Sequence, residues 1–339
     1  MLFRLILLFV SLCVFTQGFS SNLKVLQMNI WAEGTKVEGG YDAIVEEIVR
    51  LKPDVVLLSE VRNYNNVMFI SRLKNSLKEK GQIYYGDNSD TDVGIISKYP
   101  ITEQCVLYPL DDDSGSVLKA EIWVKNKRVI IYSVHLDYKN YACYLPRGYD
   151  GITWGKMKSP ITDVAMIEKM NKDSKRDEEI NCVISDAAWL DSDLIIIGGD
   201  FNEPSYLDWR EDTRNFWDHR GVVIDWDCSI LLEKASFTDS YRLKYPNPVT
   251  HPGFTFPSDN PSVPVNQLAW APDADERDRI DYIYFKSSGK SKLVDVVILG
   301  PNSSIIRGQR CKETSKDKFI LPKNIWPTDH KAIVATFKL

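Results

Sequence analysis

Residues 55–59 read Val-Val-Leu-Leu-Ser, between Pro53-Asp54 and the acid Glu60. A run of this length, apolar at both odd and even positions, is the pattern of a strand buried on both faces. Comparable β-rich runs recur at 93–97, 117–124, 129–134, 194–197, 280–285, 293–299 and 332–337, and 23–30 alternates. Helical patterns sit between them. Residues 41–51 place Ile44, Val45, Ile48 and Val49 at helical spacing, and Pro53 closes the segment. Residues 66–80 align Phe69, Ile70, Leu73 and Leu77 ahead of Gly81; residues 173–190 align Ile180, Val183, Ile184 and Ala187. A strand covered on both faces needs a layer on each side. The interleaving therefore predicts one α/β unit of two layered sheets with outer helices, not two domains. A length of 339 residues permits one domain or two. No linker or repeat interrupts the pattern, so one domain is expected over 21–339. Its inserted loops fall near 138–160, rich in Tyr, Gly and Pro, and near 246–272, rich in Pro. Long irregular loops in a compact domain are usually functional or disordered.

The first 20 residues stand apart. Arg4 precedes an apolar run over 5–15, and Thr16, Gly18, Ser20 and Ser21 offer small residues for cleavage. This is the pattern of a secretory signal peptide. The run is shorter than the roughly 20 residues a membrane span takes. Leu12 before Cys13 does not fit a lipoprotein anchor. A secreted or periplasmic protein is expected, with no transmembrane segment. Loss of Arg4 changes the formal charge from -5 to -6, since the 47 acidic residues all remain. That balance excludes a strongly basic nucleic-acid binder, and 26% charged with 11% aromatic residues excludes wholesale disorder. Five cysteines remain: Cys105, Cys143, Cys182, Cys228 and Cys311. Their long spacings and the lack of C-x-x-C argue against zinc, and mostly buried free thiols with at most one bridge are expected. Asn302-Ser303-Ser304 is a glycosylation sequon.

The placement of polar residues carries the chemistry. Asn29 ends the first strand, Glu60 follows the second, and His135 ends VIIYSV. Asp200 and Asn202 follow LIIIGG, Asp281 lies in RIDYIYF, and Asp329-His330 precedes the last strand. Any one alone is an ordinary turn or capping residue. Seven such placements point to convergence on one rim, where α/β ligand sites form. Glu60 and Asp329 offer hard oxygen ligands for Mg²⁺. Asn29 and Asn202, as neutral amides, can orient water or bond a phosphoryl oxygen without repelling it. His135 or His330, as imidazolium, can neutralise charge at a pentavalent phosphorus. Asp281 is placed to fix the tautomer of His330, and Asp200 to accept or deliver a proton.

The motifs LKVLQMNIW, PDVVLLSE, VGIISKYPI, SVHLD, IIIGGDFNEP, RIDYIYF and TDHKAIVATF together resemble the endonuclease/exonuclease/phosphatase family. They occur in the family's order over residues 23–339, with TDH in place of the usual SDH. The resemblance implies a four-layer αββα sandwich and a divalent metal, usually Mg²⁺, with Mn²⁺ or Ca²⁺ as alternatives. It implies metal binding at Glu60, with Asn29 and Asp329 beside it. It implies handling of the nucleophile or leaving group by Asp200 and Asn202, and support of His330 by Asp281. His135 is carried by the deoxyribonuclease I, sphingomyelinase and inositol phosphatase branches, where a second carboxylate often supports it. Asp92 occupies the matching place before VGIIS.

The expected activity is metal-dependent hydrolysis of a phosphate ester by a monomer. The substrate is a small phosphodiester, a nucleic acid or a lipid headgroup. A secreted nuclease or a sphingomyelinase-like hydrolase is the alternative within this chemistry; a binding protein on the same scaffold is the alternative outside it. Basic clusters at 169–176 and 286–292 are the best candidates for tracking a long polyanion, and solvated charge is their default. The rings within 138–154 either contact a leaving group or pack an inserted loop. Arg147 and Lys156 either meet a second phosphate or are solvated surface charge. Trp209, Arg210 and Arg214 either lie near the site or pack a short helix. His219 and His251 are expected to be structural or at the surface.

Overall fold

The computed structural model describes residues 22–111 and 113–339. The leader assigned to residues 1–20 lies outside the described residues. The chain begins with β1 (Asn22–Asn29), α1 (Gly40–Leu51), β2 (Val55–Ser59), α2 (Phe69–Glu79) and β3 (Val93–Ser97). A meander follows: β4 (Ile101–Tyr108), β5 (Ser116–Val124) and β6 (Lys127–His135). Next come α3 (Val164–Lys172), α4 (Arg176–Ala187), β7 (Leu194–Asp200), α5 (Asp227–Lys234), β8 (Thr238–Asp239) and α6 (Ser240–Lys244). The last part holds β9 (Asp281–Ser287), β10 (Lys292–Leu299), β11 (Ser303–Ile306), β12 (Gln309–Lys312), β13 (Phe319–Ile320) and β14 (Ala332–Lys338). Two mixed six-stranded sheets result, ordered β13-β10-β14-β1-β2-β3 and β4-β5-β6-β7-β9-β8, beside a small β11-β12 hairpin.

Side-chain parity explains the layers. Leu23 and Val25 of β1, Val55 and Leu57 of β2, Val129 and Ile131 of β6, Leu194 and Ile196 of β7, and Ile283 and Phe285 of β9 meet between the sheets. The opposite parity of the first sheet (Leu26, Met28, Val56, Leu58) packs on Ile44 and Ile48 of α1 and Phe69 and Leu73 of α2. The opposite parity of the second (Ile130, Tyr132, Ile195, Ile197) packs on Ile180 and Val183 of α4 and Leu232 of α5. The expected four-layer αββα sandwich is therefore present, and each central strand is apolar on both parities because both faces are covered.

The inward parity changes character at one end. Counting by twos, Leu23 and Val25 lead to Gln27 and Asn29; Val55 and Leu57 lead to Ser59. Val129 and Ile131 lead to Ser133 and His135; Leu194 and Ile196 lead to Gly198 and Asp200. On antiparallel β9, Phe285 and Ile283 lead back to Asp281. Alternation thus sends all these polar groups into the space between the sheets. The sheets approach closely there. Ser59 Oγ donates to the Val134 carbonyl (3.1 Å) and Ser133 Oγ to that of Leu58 (3.3 Å). A Cβ on Gly198 would lie 2.5 Å from Leu57 Cδ1, so a side chain at this crossing requires Leu57 to move.

Several elements lacked a readable pattern. In β4 the burial is irregular and mostly partial, as an edge strand allows. Helix α3 buries only Ile167 and Asn171, too thin a stripe for periodicity to show. The hairpin β11-β12 was likewise not anticipated. The predicted 66–80 helix starts later, at Phe69, whose N–H bonds Asn63 Oδ1 (3.0 Å). The five described cysteines Cys105, Cys143, Cys182, Cys228 and Cys311 are free thiols. Among the described residues, no helix is long and apolar enough to cross a membrane.

Candidate active site

Register alone assembles half of the site. His135 on β6 pairs with Asp200 on β7, and Asp200 pairs with Asp281 on β9, so the three form one row across the second sheet. From the facing sheet, Asn29 stands beside Ser59. Asn29 Nδ2 joins the two halves by donating to Glu60 Oε1 (3.0 Å) and Asp200 Oδ2 (2.9 Å). Its Oδ1 accepts the Trp31 N–H (2.9 Å). Glu60 turns off β2 with φ +67°, a left-handed conformation unfavourable for a non-glycine residue, and its Oε2 accepts the Ala32 N–H at 2.7 Å. The Asn202 N–H holds Asp200 Oδ1 (3.0 Å), while its Nδ2 donates to the Leu136 carbonyl (2.9 Å).

Two histidine–carboxylate pairs flank Asp200. His330 Nδ1 lies 2.8 Å from Asp281 Oδ2, and its Nε2 lies 3.7 Å from Asp200 Oδ2. His135 Nδ1 lies 2.5 Å from Asp92 Oδ2, and its Nε2 lies 3.9 Å from the same Asp200 oxygen. Asp92 is therefore the second supporting carboxylate, held in turn by the Ser116 hydroxyl. Gln27 Nε2 donates to Asp281 Oδ1 (2.9 Å), and the Thr255 hydroxyl oxygen accepts the Asp281 N–H (3.1 Å). The Phe256 ring lies 4.9 Å from that of His330. The sequence pattern does not mark Gln27, Ser116, Thr255 or Phe256 as site residues.

Electrostatics favour imidazolium at both histidines. Burial opposes the charge on His135, but Asp92, with Asp200 and Glu60 further off, outweighs it and raises the pKa to about 9. Burial likewise opposes the charge on His330, and Asp281 and Asp200 raise it well above the ordinary value. The Asp200 carboxyl is pushed up by burial, with the two histidines pulling against it. Burial lifts Asp329 to about 7, with His330 pulling it down and Glu60 adding to the rise.

The cluster opens into a cavity of about 490 Å³ lined by Glu60, His135, Asp200, Asn202, Asp329 and His330. Asn29 and Asp281 are buried behind this surface. Rings from both insertions reach the same cavity: Tyr141, Tyr144 and Trp154 from the first, Phe256 and Trp270 from the second. Arg147 is not solvated surface charge. It is buried and paired with Asp278, and its Nε donates to the Asp275 carbonyl at 3.0 Å. Lys156 is exposed and pairs with Asp273. Trp209 is buried, stacked on His219 at 3.6 Å and bonded through Nε1 to Asp278, so both rings are structural. His251 stacks on Tyr245.

Two donor sets are candidates for a cation. Ligand-type atoms of Asp200, Asp281 and His330 lie within 4.8 Å of one another. Asp281, however, is already engaged by Gln27 and His330, which leaves a mixed imidazole–carboxylate pair. Glu60 and Asp329 present carboxylate oxygens, the hard donors that Mg²⁺ prefers. Burial is the main cause of the raised Asp329 and Glu60 adds to it, and a cation between the two carboxylates would relieve that contribution. The residues thus fit a hard divalent ion at Glu60 and Asp329. Asn29, grouped with the metal ligands on sequence, turns its amide nitrogen to both carboxylates and serves to orient them.

A two-sheet sandwich with this inter-sheet rim of acids and imidazoles defines a hydrolase of phosphoester bonds. The chain belongs to the Endonuclease/Exonuclease/phosphatase family, whose model matches residues 26–330. It is 28% identical over 332 residues to the uncharacterized Caenorhabditis elegans protein F14F9.5, covering 96% of this chain and 95% of that one. Among solved structures it is similar to D. rerio TDP2 complexed with single-strand DNA product, with TM-score 0.53, 13% identity, and 94% and 100% of the two chains covered. It is also similar to the human nocturnin catalytic domain with bound sulfate, with TM-score 0.50, 14% identity, and 93% and 94% covered. At these identities the two structures speak to the fold alone.

Proposed function

We propose that this chain is a secreted, Mg²⁺-dependent phosphodiesterase in which water attacks phosphorus in line, facing the rim between the sheets. The leader pattern in residues 1–20 supports export. The observation that carries the chemistry is Asp200 set between two carboxylate-supported histidines, with Glu60 and Asp329 alongside. Glu60 and Asp329 would hold a divalent ion, which would supply charge neutralisation at the phosphate and a lowered pKa for water. Asp200, whose carboxyl is pushed up from the ordinary value by burial, accepts the proton of the attacking water in its ionised form. His330 and His135, as imidazoliums, donate to the phosphoryl oxygens as charge builds. Asp281 and Asp92 keep them protonated and fixed in orientation from behind. Asn29 holds Glu60 and Asp200 at a set separation, and Asn202 fixes Asp200 from its own turn.

The test is hydrolysis of bis-p-nitrophenyl phosphate and of the monoester by the full chain with Mg²⁺, after EDTA treatment, and after Mg²⁺ is restored. The expected result is diester turnover that EDTA removes and Mg²⁺ restores. No turnover of either ester contradicts the reading and favours a binding protein on this scaffold.

The histidine pairs give a pH prediction. With Asp92 in place, His135 keeps its proton up to about pH 9. Asp92→Asn removes the main influence holding it there and leaves the opposing burial. The imidazolium is then lost at lower pH, so the alkaline limb of kcat/KM moves down by at least about one pH unit. A pH–rate profile with an unmoved alkaline limb contradicts the assignment of His135.

A further inference from the structure

The two insertions meet beside the phosphate site and build a rigid aromatic wall. Tyr141 and Trp154 have ring centroids 5.7 Å apart, Tyr144 and Trp154 5.5 Å, and Trp154 and Trp270 5.7 Å. Tyr141 and Tyr144 are buried behind the indoles. Trp154 is half-buried and Trp270 is 54% exposed, and Trp31, Tyr64 and Tyr138 line the same cavity. A group of large rings exposed together beside a polar site is informative in a way that a single exposed apolar residue is not. The wall is also held in place. Glu276, itself buried, accepts the Tyr144 hydroxyl and the N–H groups of Trp270 (3.2 Å) and Ala271 (3.0 Å), so one carboxylate ties both insertions together. Trp154 has φ +61°, which a bulky residue adopts only under constraint. Its N–H bonds the Asp150 carbonyl (3.0 Å), and Asp150 Oδ1 accepts the Ile152 and Thr153 N–H groups.

The same cavity carries two cations, Lys36 and Arg62, and Arg62 is ion-paired with Asp113 of the lining at 2.6 Å. Lys36 suits an anionic substrate, whereas a trimethylammonium headgroup seeks an aromatic cage free of competing positive charge. Two adjoining indoles with an open face offer what a flat uncharged base requires. We propose that Trp154 and Trp270 form a stacking subsite for a nucleobase, which makes nucleotide diesters the substrate class. The assignment rests on the phosphodiesterase reading.

Calorimetric titration of the full chain in Mg²⁺ with AMP, ribose 5-phosphate and phosphocholine tests it. AMP and ribose 5-phosphate share the phosphate and sugar and differ in the base. AMP is expected to bind about tenfold or more tightly than ribose 5-phosphate. Trp270→Ala is expected to abolish that difference, and Trp270→Phe, which keeps a ring, to retain most of it. Trp270 is exposed, and unchanged thermal unfolding of both variants checks that the fold is kept. AMP binding no tighter than ribose 5-phosphate, a preference that survives Trp270→Ala, or phosphocholine as the tightest ligand overturns the subsite. Diester turnover by the wild type is read separately. Turnover without base preference defeats the subsite alone; base preference without turnover defeats the phosphodiesterase reading alone.

Discussion

Glu60→Gln is expected to lower kcat/KM for a phosphodiester by about 10³-fold or more and to remove the response to added Mg²⁺. The substitution keeps the size and shape of the side chain. It can also keep one hydrogen bond, since Glu60 meets two donors, Asn29 Nδ2 and the Ala32 N–H. What it removes is a negative charge. Only Asp329 then remains as a carboxylate for a hard cation, and Asn29 loses the ionised oxygen that sets its orientation. A charge contribution of several kcal/mol to the transition state corresponds to the stated loss. Glu60 is half-buried at the cavity and outside the packed inter-sheet core, so the unfolding temperature is expected to stay close to the wild-type value. Kinetics with Mg²⁺ in excess, beside a thermal melt, check both halves. An active variant contradicts the placement of the cation. An inactive but unfolded one would move the role of Glu60 from chemistry to stability.

Asp200→Asn is expected to cost about 10²–10⁴-fold, mostly in kcat. Among the described residues, Asp200 is the carboxylate within 4 Å of both imidazoles, at 3.7 Å from His330 and 3.9 Å from His135. The amide cannot accept the proton of water, and it withdraws the negative charge that helps keep both histidines protonated. The asparagine side chain fills the same volume, and its oxygen can still take the Asn29 donor, so ground-state binding should change little. A loss confined to KM would show that Asp200 binds substrate without taking a proton.

Much of this site is legible in the chain because of a single physical rule. Strands buried on both faces read as continuous apolar runs, and a polar residue on the inward parity is costly unless something engages it. Asn29, His135, Asp200 and Asp281 break the pattern at the same end of four strands, and they meet there. Glu60, Asp329 and His330 lie just beyond strand ends and are visible by adjacency. Other parts require the third dimension. The support of His135 by Asp92 depends on two sheets facing each other across a sequence separation of 43 residues. Gln27 resembles any polar residue in an alternating edge pattern until β14 and β2 cover its strand on both sides. Arg147 reads as surface charge because its partner Asp278 lies 131 residues away. The insertions have no periodicity, so composition announces an aromatic loop, while the carboxylate of Glu276 that locks it to Trp270 is visible only once the two segments are brought together.

Hydrolysis of a phosphodiester by the full chain in ¹⁸O-labelled water tests the central claim most directly. Attack of water on phosphorus predicts one labelled oxygen in the phosphoryl product per turnover and none in the released alcohol or phenol. Label in the alcohol or phenol would place bond cleavage on carbon and contradict a site built around Asp200, the two histidines and Glu60.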